Sequence, residues 1–318
     1  WNLLFKLQKR CFYICGVEKE KIEFALSRLG KLMTHFGQSN DWTGFDLGIT
    51  EEEHSSFNEL IVRQKHYNGW FTEDMVRKSL FSLGGLLTEN QLRDWTAEYD
   101  YQSEAKTVAV IMAGNIPLVG FHDFFSVLIS GHNVVVKQAT NDKQLLPLIA
   151  KYLEIVEPGF KSKITFVDGQ LKDFDAVIAT GSDNTARYFE YYFREVPSII
   201  RNNRNSVAVL NGNETKNDLE ALSIDIFRYY GLGCRNVSKL FVPKSYDFKD
   251  FFQSIYSWHP IINQSKYANN YDYNKAVYLM SEFDMLENGF LMLKEDHRYS
   301  SPIATLFYEF YDSKKTLK

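Results

Sequence analysis

Cys234 stands in the run Tyr229-Tyr230-Gly231-Leu232-Gly233-Cys234-Arg235-Asn236, with glycines before it and an arginine after it. Glycine lets other atoms approach the backbone closely, and a guanidinium with free N–H groups favours the thiolate, the nucleophilic form of cysteine. A lone cysteine is also an ordinary small hydrophobe, and taken by itself it is more often buried filler. Three further stretches carry residues that can work with a nucleophile. Gly114-Asn115-Ile116-Pro117 ends an apolar run. An asparagine there can offer its amide to an oxyanion, or merely cap the next helix. Val134-Val135-Val136-Lys137-Gln138-Ala139-Thr140 sets Lys137 at the end of a second apolar run. A lysine in that place can reach a ribose or phosphate, although most such lysines are solvated. Ala179-Thr180-Gly181-Ser182-Asp183 brings glycine and serine to a helix start. Free N–H groups and the helix dipole favour phosphate there, with Asp183 expected as the N-cap.

The elements that must position these residues follow from periodicity. Residues 1–100 read as helical, without a strand-length β-branched run. Thr50–Glu53 and Thr88–Gln91 fit the capping-box pattern, and Gly84-Gly85 argue for a break between helices. From Thr107 the pattern changes. Strands are expected over 107–113, 132–137, 163–167 and 175–179, with helices over 121–129, 142–156 and 184–193. Strands alternating with helices of this length indicate βαβ units and a mainly parallel sheet. A second α/β unit is expected from residue 206, with strands over 206–210, 239–242, 276–280 and 305–311. Its helix over 218–230 leads into the cysteine turn. The domains are therefore 1–205, including the helical N-terminal region, and 206–318.

Composition bounds the function classes. The 318 residues carry 36 Lys+Arg against 40 Asp+Glu, a net charge of −4, so no basic field points to nucleic acid. No apolar run approaches the ~20 residues that span a bilayer, and no signal peptide is expected. The first residue is Trp1, so a true N-terminus is expected to be missing. Three cysteines are an odd number, with Cys11 and Cys15 at the spacing of one helix face. That argues against a disulfide framework and for a reducing cytoplasm. The 25 Phe and 19 Tyr suit either a ring-rich core or a pocket for a greasy substrate. His122, His132 and His259 have no metal spacing, so no metal is expected; each reads as a structural histidine first, with a proton donor to the aldehyde or thiolate as the alternative for one of them. Neither GxGxxG nor GxxxxGK[ST] occurs.

In this order, the four stretches resemble the aldehyde dehydrogenase superfamily, and within it the LuxC-type fatty acyl-CoA reductase branch, over about residues 105–311. The resemblance implies a two-domain α/β fold with mainly parallel sheets. It makes Asn115 the oxyanion asparagine. VVVKQAT looks like the superfamily's VVVKPSE motif, with Lys137 at the cofactor ribose. ATGS looks like FTGS, with Gly181 and Ser182 near the cofactor phosphates. GLGC looks like GQxC, with Cys234 as nucleophile. Two departures matter. Thr140 replaces the acid that holds the adenosine ribose, which removes repulsion against a 2′-phosphate and makes NADPH acceptable beside NADH. The ELGGK segment, which carries the base for hydrolysis, is replaced by Arg201-Asn202-Asn203-Arg204-Asn205, with no carboxylate from Ser198 to Leu210. An acyl-enzyme without that base hydrolyses slowly. The implied function is reduction of an acyl-CoA or acyl-carrier thioester to an aldehyde. The rivals are a reductase of another activated acid, such as an acyl phosphate, and a non-catalytic scaffold. A homo-oligomer is allowed, although the return segment that helps oligomerise in this superfamily is short or absent and the chain is expected to be truncated at Lys318.

Overall fold

The computed structural model describes residues 19–99, 104–202 and 204–313. Cys11, Cys15, Trp1 and Asn203 lie outside the described residues. The chain divides into two units, Trp1–Asn202 and Asn203–Lys318.

Among the described residues, the first unit begins with four α-helices: α1 (Lys19–Gly37), α2 (Glu51–Tyr67), α3 (Glu73–Gly84) and α4 (Glu89–Thr96). Thr50 and Glu53 form a full capping box at α2, with each side chain taking the other's backbone N–H. Thr88 caps α4 by accepting from the Gln91 N–H at 3.4 Å. The paired glycines do break the chain, α3 ending at Gly84 before a short 3₁₀ turn over Gly85–Leu87. Gly84 also lets two helices touch. A Cβ built on it would stand 2.8 Å from the Gly30 carbonyl oxygen of α1.

Five strands and three helices follow. They are β1 (Thr107–Ile111), α5 (Phe121–Ile129), β2 (Asn133–Lys137), α6 (Leu145–Val156), β3 (Ile164–Phe166), β4 (Ala176–Thr180), α7 (Asp183–Tyr192) and β5 (Ser198–Arg201). The sheet has the order β3-β2-β1-β4-β5 and every pairing is parallel. Side chains alternate across a strand. Val108, Val110, Val134, Val136 and Ile178 enter one large core with α1, α5 and α6. Ala109, Val177 and Ala179 face the other way, onto Phe189 and Phe193 at α7. Burial on both faces explains the near-continuous apolar runs.

The second unit holds β6 (Ser206–Val209), α8 (Lys216–Phe227), β7 (Val237–Pro243), α9 (Lys249–Ser254), α10 (Ser265–Met280), β8 (Met285–Glu287), β9 (Met292–Glu295) and β10 (Thr305–Tyr311). Its sheet runs β6-β7-β10-β9-β8, with only β8 antiparallel. On one face the Lys239 ammonium meets the Glu309 carboxylate at 2.5 Å, and Lys294 meets Asp296 at 2.8 Å. Both lysines are buried, so these pairs are the condition of their being there.

Two expectations need correction. The strand expected over 276–280 is the last turn and a half of α10. Tyr267, Tyr271, Asn274 and Tyr278 recur at helical spacing and form its buried stripe, while Leu279 and Met280 are exposed. An apolar run on the solvent side thus imitated a strand. Conversely, Ser198–Arg201 is a strand too short and too polar at its end to show in the pattern.

The Gly30–Gly84 contact leaves no room for a methyl group. Gly84→Ala is expected to lower unfolding free energy by about 1–3 kcal/mol, read from urea denaturation with an unchanged far-ultraviolet circular dichroism spectrum.

Candidate functional site

Parallel strands all end at one edge of their sheet. Ile111 pairs with Lys137 on one side and Ala179 on the other, and Thr180 pairs with Arg201, so four strand ends stand level. The Asn115 turn, the Lys137–Thr140 segment and Gly181-Ser182 therefore share the carboxyl edge of the first sheet. The strand order reverses direction between β1 and β4, and open α/β sheets bind ligands in the crevice at such a switch point.

Each of these residues has a local anchor. The Lys137 ammonium donates to the Gly169 carbonyl at 2.9 Å, and Thr140 is exposed. Gly181 sits in close quarters, because a Cβ there would come within 3.0 Å of Thr185 and 3.1 Å of Phe189 and a neighbouring side chain would have to shift. Ser182, and not Asp183, is the N-cap of α7, accepting from the Thr185 N–H at 3.3 Å. Serine takes this role because its short hydroxyl reaches back to the third helical N–H. The ammonium, the hydroxyls and the first-turn N–H groups form a donor set that suits an anionic, hydroxyl-bearing ligand.

The Asn115 turn is held by residues that the sequence did not single out. The Gly114 carbonyl accepts from Asn68 Nδ2 at 3.0 Å and from Asn141 Nδ2 at 3.3 Å. Asp142 is buried and accepts a hydrogen bond from the Leu118 N–H, at a residue with φ of 57°. Burial pushes the Asp142 carboxyl up to about 7, against the pull of that hydrogen bond. The Arg201 guanidinium pairs with Asp123 of α5. The segment after Ser198 contains no carboxylate of its own, yet one reaches it from α5 and is engaged by that arginine. His132 is a satisfied core histidine. Its Nδ1 accepts from the Lys106 N–H at 3.2 Å, and burial holds its pKa down.

In the second unit Cys234 is exposed, which removes the buried-filler reading. It sits at the tip of a turn closed by the Asn236 N–H on the Gly233 carbonyl at 3.0 Å. Tyr229, Tyr230 and Gly231 precede it with φ of 53°, 59° and 75°. Two successive non-glycine residues in the left-handed region are costly, and such geometry collects at functional turns. Among the described residues, nothing accepts the N–H of Cys234 or of Arg235. An exposed thiol beside two free N–H groups can attack a carbonyl and hold the oxygen that becomes negative.

Two parallel-dominated α/β sheets, one with its loops at a switch point and one carrying a cysteine turn, have close structural counterparts. The chain superposes on HpcC from Thermus thermophilus with a TM-score of 0.67, at 13% identity over 94% of this chain and 66% of that one. The aldehyde dehydrogenase KauB from Pseudomonas aeruginosa gives 0.68, at 13% identity over 94% and 68%. An NAD-dependent benzaldehyde dehydrogenase from Corynebacterium glutamicum gives 0.65, at 14% identity over 94% and 73%. The fold is that of the aldehyde dehydrogenases. No family model matches the sequence, and neither does any curated protein. The chain spans about two thirds of the length of the first two aldehyde dehydrogenase-fold neighbours.

Among the described residues, no group of three His, Cys, Asp or Glu side chains could hold a metal ion, and no helix is long and apolar enough to cross a membrane. A cleft of about 620 Å³ opens within the helical layer against α1, lined by Lys31, Thr34, His35 and Glu89 among others, and by none of the residues expected at the site.

Asp142 gives a pH signature. Its carboxyl titrates near 7 in the folded chain and near its ordinary 3.8 when unfolded. Its contribution to stability is therefore full below pH 3.8 and is lost as pH rises through 7. Asp142→Asn keeps an acceptor for the Leu118 N–H and removes the titration. The stability of wild type minus that of the variant should fall by on the order of 4 kcal/mol between pH 4 and 8, measured by urea unfolding.

Proposed function

We propose that this chain is a nicotinamide-dependent reductase that converts an acyl thioester, acyl-CoA or an acyl carrier, into an aldehyde through an acyl group on Cys234. The observation that carries the reading is the exposed Cys234 thiol at the tip of a strained turn with free N–H groups, on an aldehyde dehydrogenase fold. An oxidoreductase acting at the aldehyde level is the coarser form of the same reading, supported by the aldehyde dehydrogenases among the structural neighbours. A reducing cytoplasm suits a free thiol in this role.

The Cys234 thiolate attacks the thioester carbonyl carbon, forms the new C–S bond and expels the CoA thiol. The Cys234 N–H stabilises the oxyanion as it develops. When bound, the nicotinamide supplies the hydride that reduces the acyl carbon. The C–S bond to Cys234 then breaks, aldehyde departs and the thiolate returns. Lys137 would hold the cofactor ribose, and the first turn of α7, capped by Ser182, would hold its phosphates with Gly181 allowing close approach. The segment Arg201–Asn205 offers no local base to activate water, and Asp123 is neutralised by Arg201. That favours transfer to hydride over hydrolysis.

Incubation with acyl-CoA and no nicotinamide should leave one acyl group on the Cys234 peptide by mass spectrometry. NADPH oxidation should then depend on acyl-CoA and vanish in Cys234→Ala. Equal NADPH oxidation by wild type and Cys234→Ala would sink the reading. An adduct formed only from acyl phosphate would move the substrate class to that activated acid. No adduct and no turnover, with normal folding, would leave the non-catalytic scaffold.

Cofactor choice is tested at Thr140. A carboxylate there would repel a 2′-phosphate and favour free ribose hydroxyls. Thr140→Glu is expected to raise KM for NADPH by about tenfold or more, equivalent to ~1.4 kcal/mol, while improving KM for NADH. Equal effects on both cofactors would rule out this role.

A further inference from the structure

The left-handed run Tyr229-Tyr230-Gly231 turns the chain after α8 so that the cysteine turn lies against that helix's last residues. The last carbonyls of a helix have no partner inside it. Here two of them are met by Asn236. Its Nδ2 donates to the Asp225 carbonyl at 2.6 Å and to the Ile226 carbonyl at 3.4 Å. At the other end of the same amide, Oδ1 accepts from the Gly233 N–H at 2.7 Å. The Asn236 backbone is equally occupied, its N–H on the Gly233 carbonyl and its C=O on the Ser206 N–H of β6, both at 3.0 Å. Every polar group of a residue only 8% exposed is thus engaged.

Those bonds have a consequence at the turn. Gly233 and Asn236 are joined twice, backbone to backbone and backbone to side chain, so Cys234 and Arg235 are held as the two tip residues. The Gly233 N–H is consumed, which leaves those of Cys234 and Arg235 as the free donors.

We infer that Asn236 is the positioning residue for Cys234. Its side-chain amide clamps the cysteine turn to the end of α8, so that the thiol and the two free N–H groups meet an incoming carbonyl together. The inference rests on reading Cys234 as the nucleophile. Aspartate in its place would keep the bond to Gly233, lose the donor to the two carbonyls and set a negative charge beside the developing oxyanion. Alanine would release the turn altogether.

The test separates positioning from folding and from thiol chemistry. Full-length wild type, Asn236→Ala, the isosteric Asn236→Asp and a Cys234→Ala control are each treated with two probes, at a temperature where all are folded by circular dichroism. Iodoacetamide reports the thiolate and needs no oxyanion donor. p-Nitrophenyl acetate needs both. Modification is followed at the Cys234 peptide by mass spectrometry, because the chain also carries Cys11 and Cys15. Alkylation, compared at the alkaline plateau of its rate, should stay within about threefold of wild type, while acylation should fall about a hundredfold or more, the scale on which lost oxyanion donors act. Acylation that falls no more than alkylation overturns the inference. Should Asn236→Ala fail to fold, the same split in Asn236→Asp decides it. A wild type that accepts the ester at Cys234 but no acyl-CoA removes the proposed substrate class and leaves Asn236's role standing. Wild-type Cys234 inert to the ester overturns both.

Discussion

The first unit is governed by one geometric constraint: parallel strands that share a sheet must all finish at the same edge. A chain can reach the next parallel strand only after crossing back over a face of the sheet, so each strand end becomes a loop and each loop leads into a helix or the next crossover. Asn115, Lys137 and Gly181 lie far apart in sequence, yet the level pairing of Ile111, Lys137, Ala179, Thr180 and Arg201 gathers their loops at one edge. The large apolar core on one face fixes that register, because a slip of one residue would turn Val108, Val110, Val134 and Val136 away from it. The core is thus what aims the loops.

Much of this order is visible in the sequence because it is written as pattern. The valine-rich runs at 107–111 and 133–137 read as continuous apolar strands, the first buried on both faces and the second on one. The helix at 121–129 and the strand at 305–311 likewise have boundaries set by composition. What escapes the sequence is what depends on side chains meeting across long intervals. Asp123 reaches Arg201 from 78 positions away, and Asn68 reaches Gly114 from 46. Nothing local to any of these residues announces its partner. The α10 error has a different cause. Tyrosine and asparagine form its buried stripe, so the apolar residues fall on the exposed side and the usual reading of polarity inverts.

The cysteine turn shows both limits together. Its glycines and its arginine are legible as a place where a thiol can be approached. Its exposure is not, since a lone cysteine is among the most frequently buried residues. The left-handed Tyr229 and Tyr230 are still less readable, because bulky residues rarely adopt that conformation and a sequence-based reading assigns them to the end of a helix. The strain persists because the surroundings leave the chain no other route. The carbonyls at the end of α8 need donors, Asn236 supplies them, and it can do so only if the chain turns sharply first.

The two turns that carry Asn115 and Cys234 are each held by neutral amides. Asn68 and Asn141 hold the Gly114 carbonyl, and Asn236 holds the Gly233 N–H. An ammonium or carboxylate could make some of the same bonds more strongly. It would also place a fixed charge beside a thiol, an oxyanion or an anionic ligand. An amide has a donor at one end and an acceptor at the other, so a single asparagine can satisfy a carbonyl and an N–H at once and contribute no net charge. Asp142 fits the same pattern. Its carboxyl is buried beside the Asn115 turn, and burial raises the pH at which it ionises, so that over much of the acid range it too is neutral. The Asn115 turn and the Cys234 turn are thereby each fixed in place by amides that add no charge of their own.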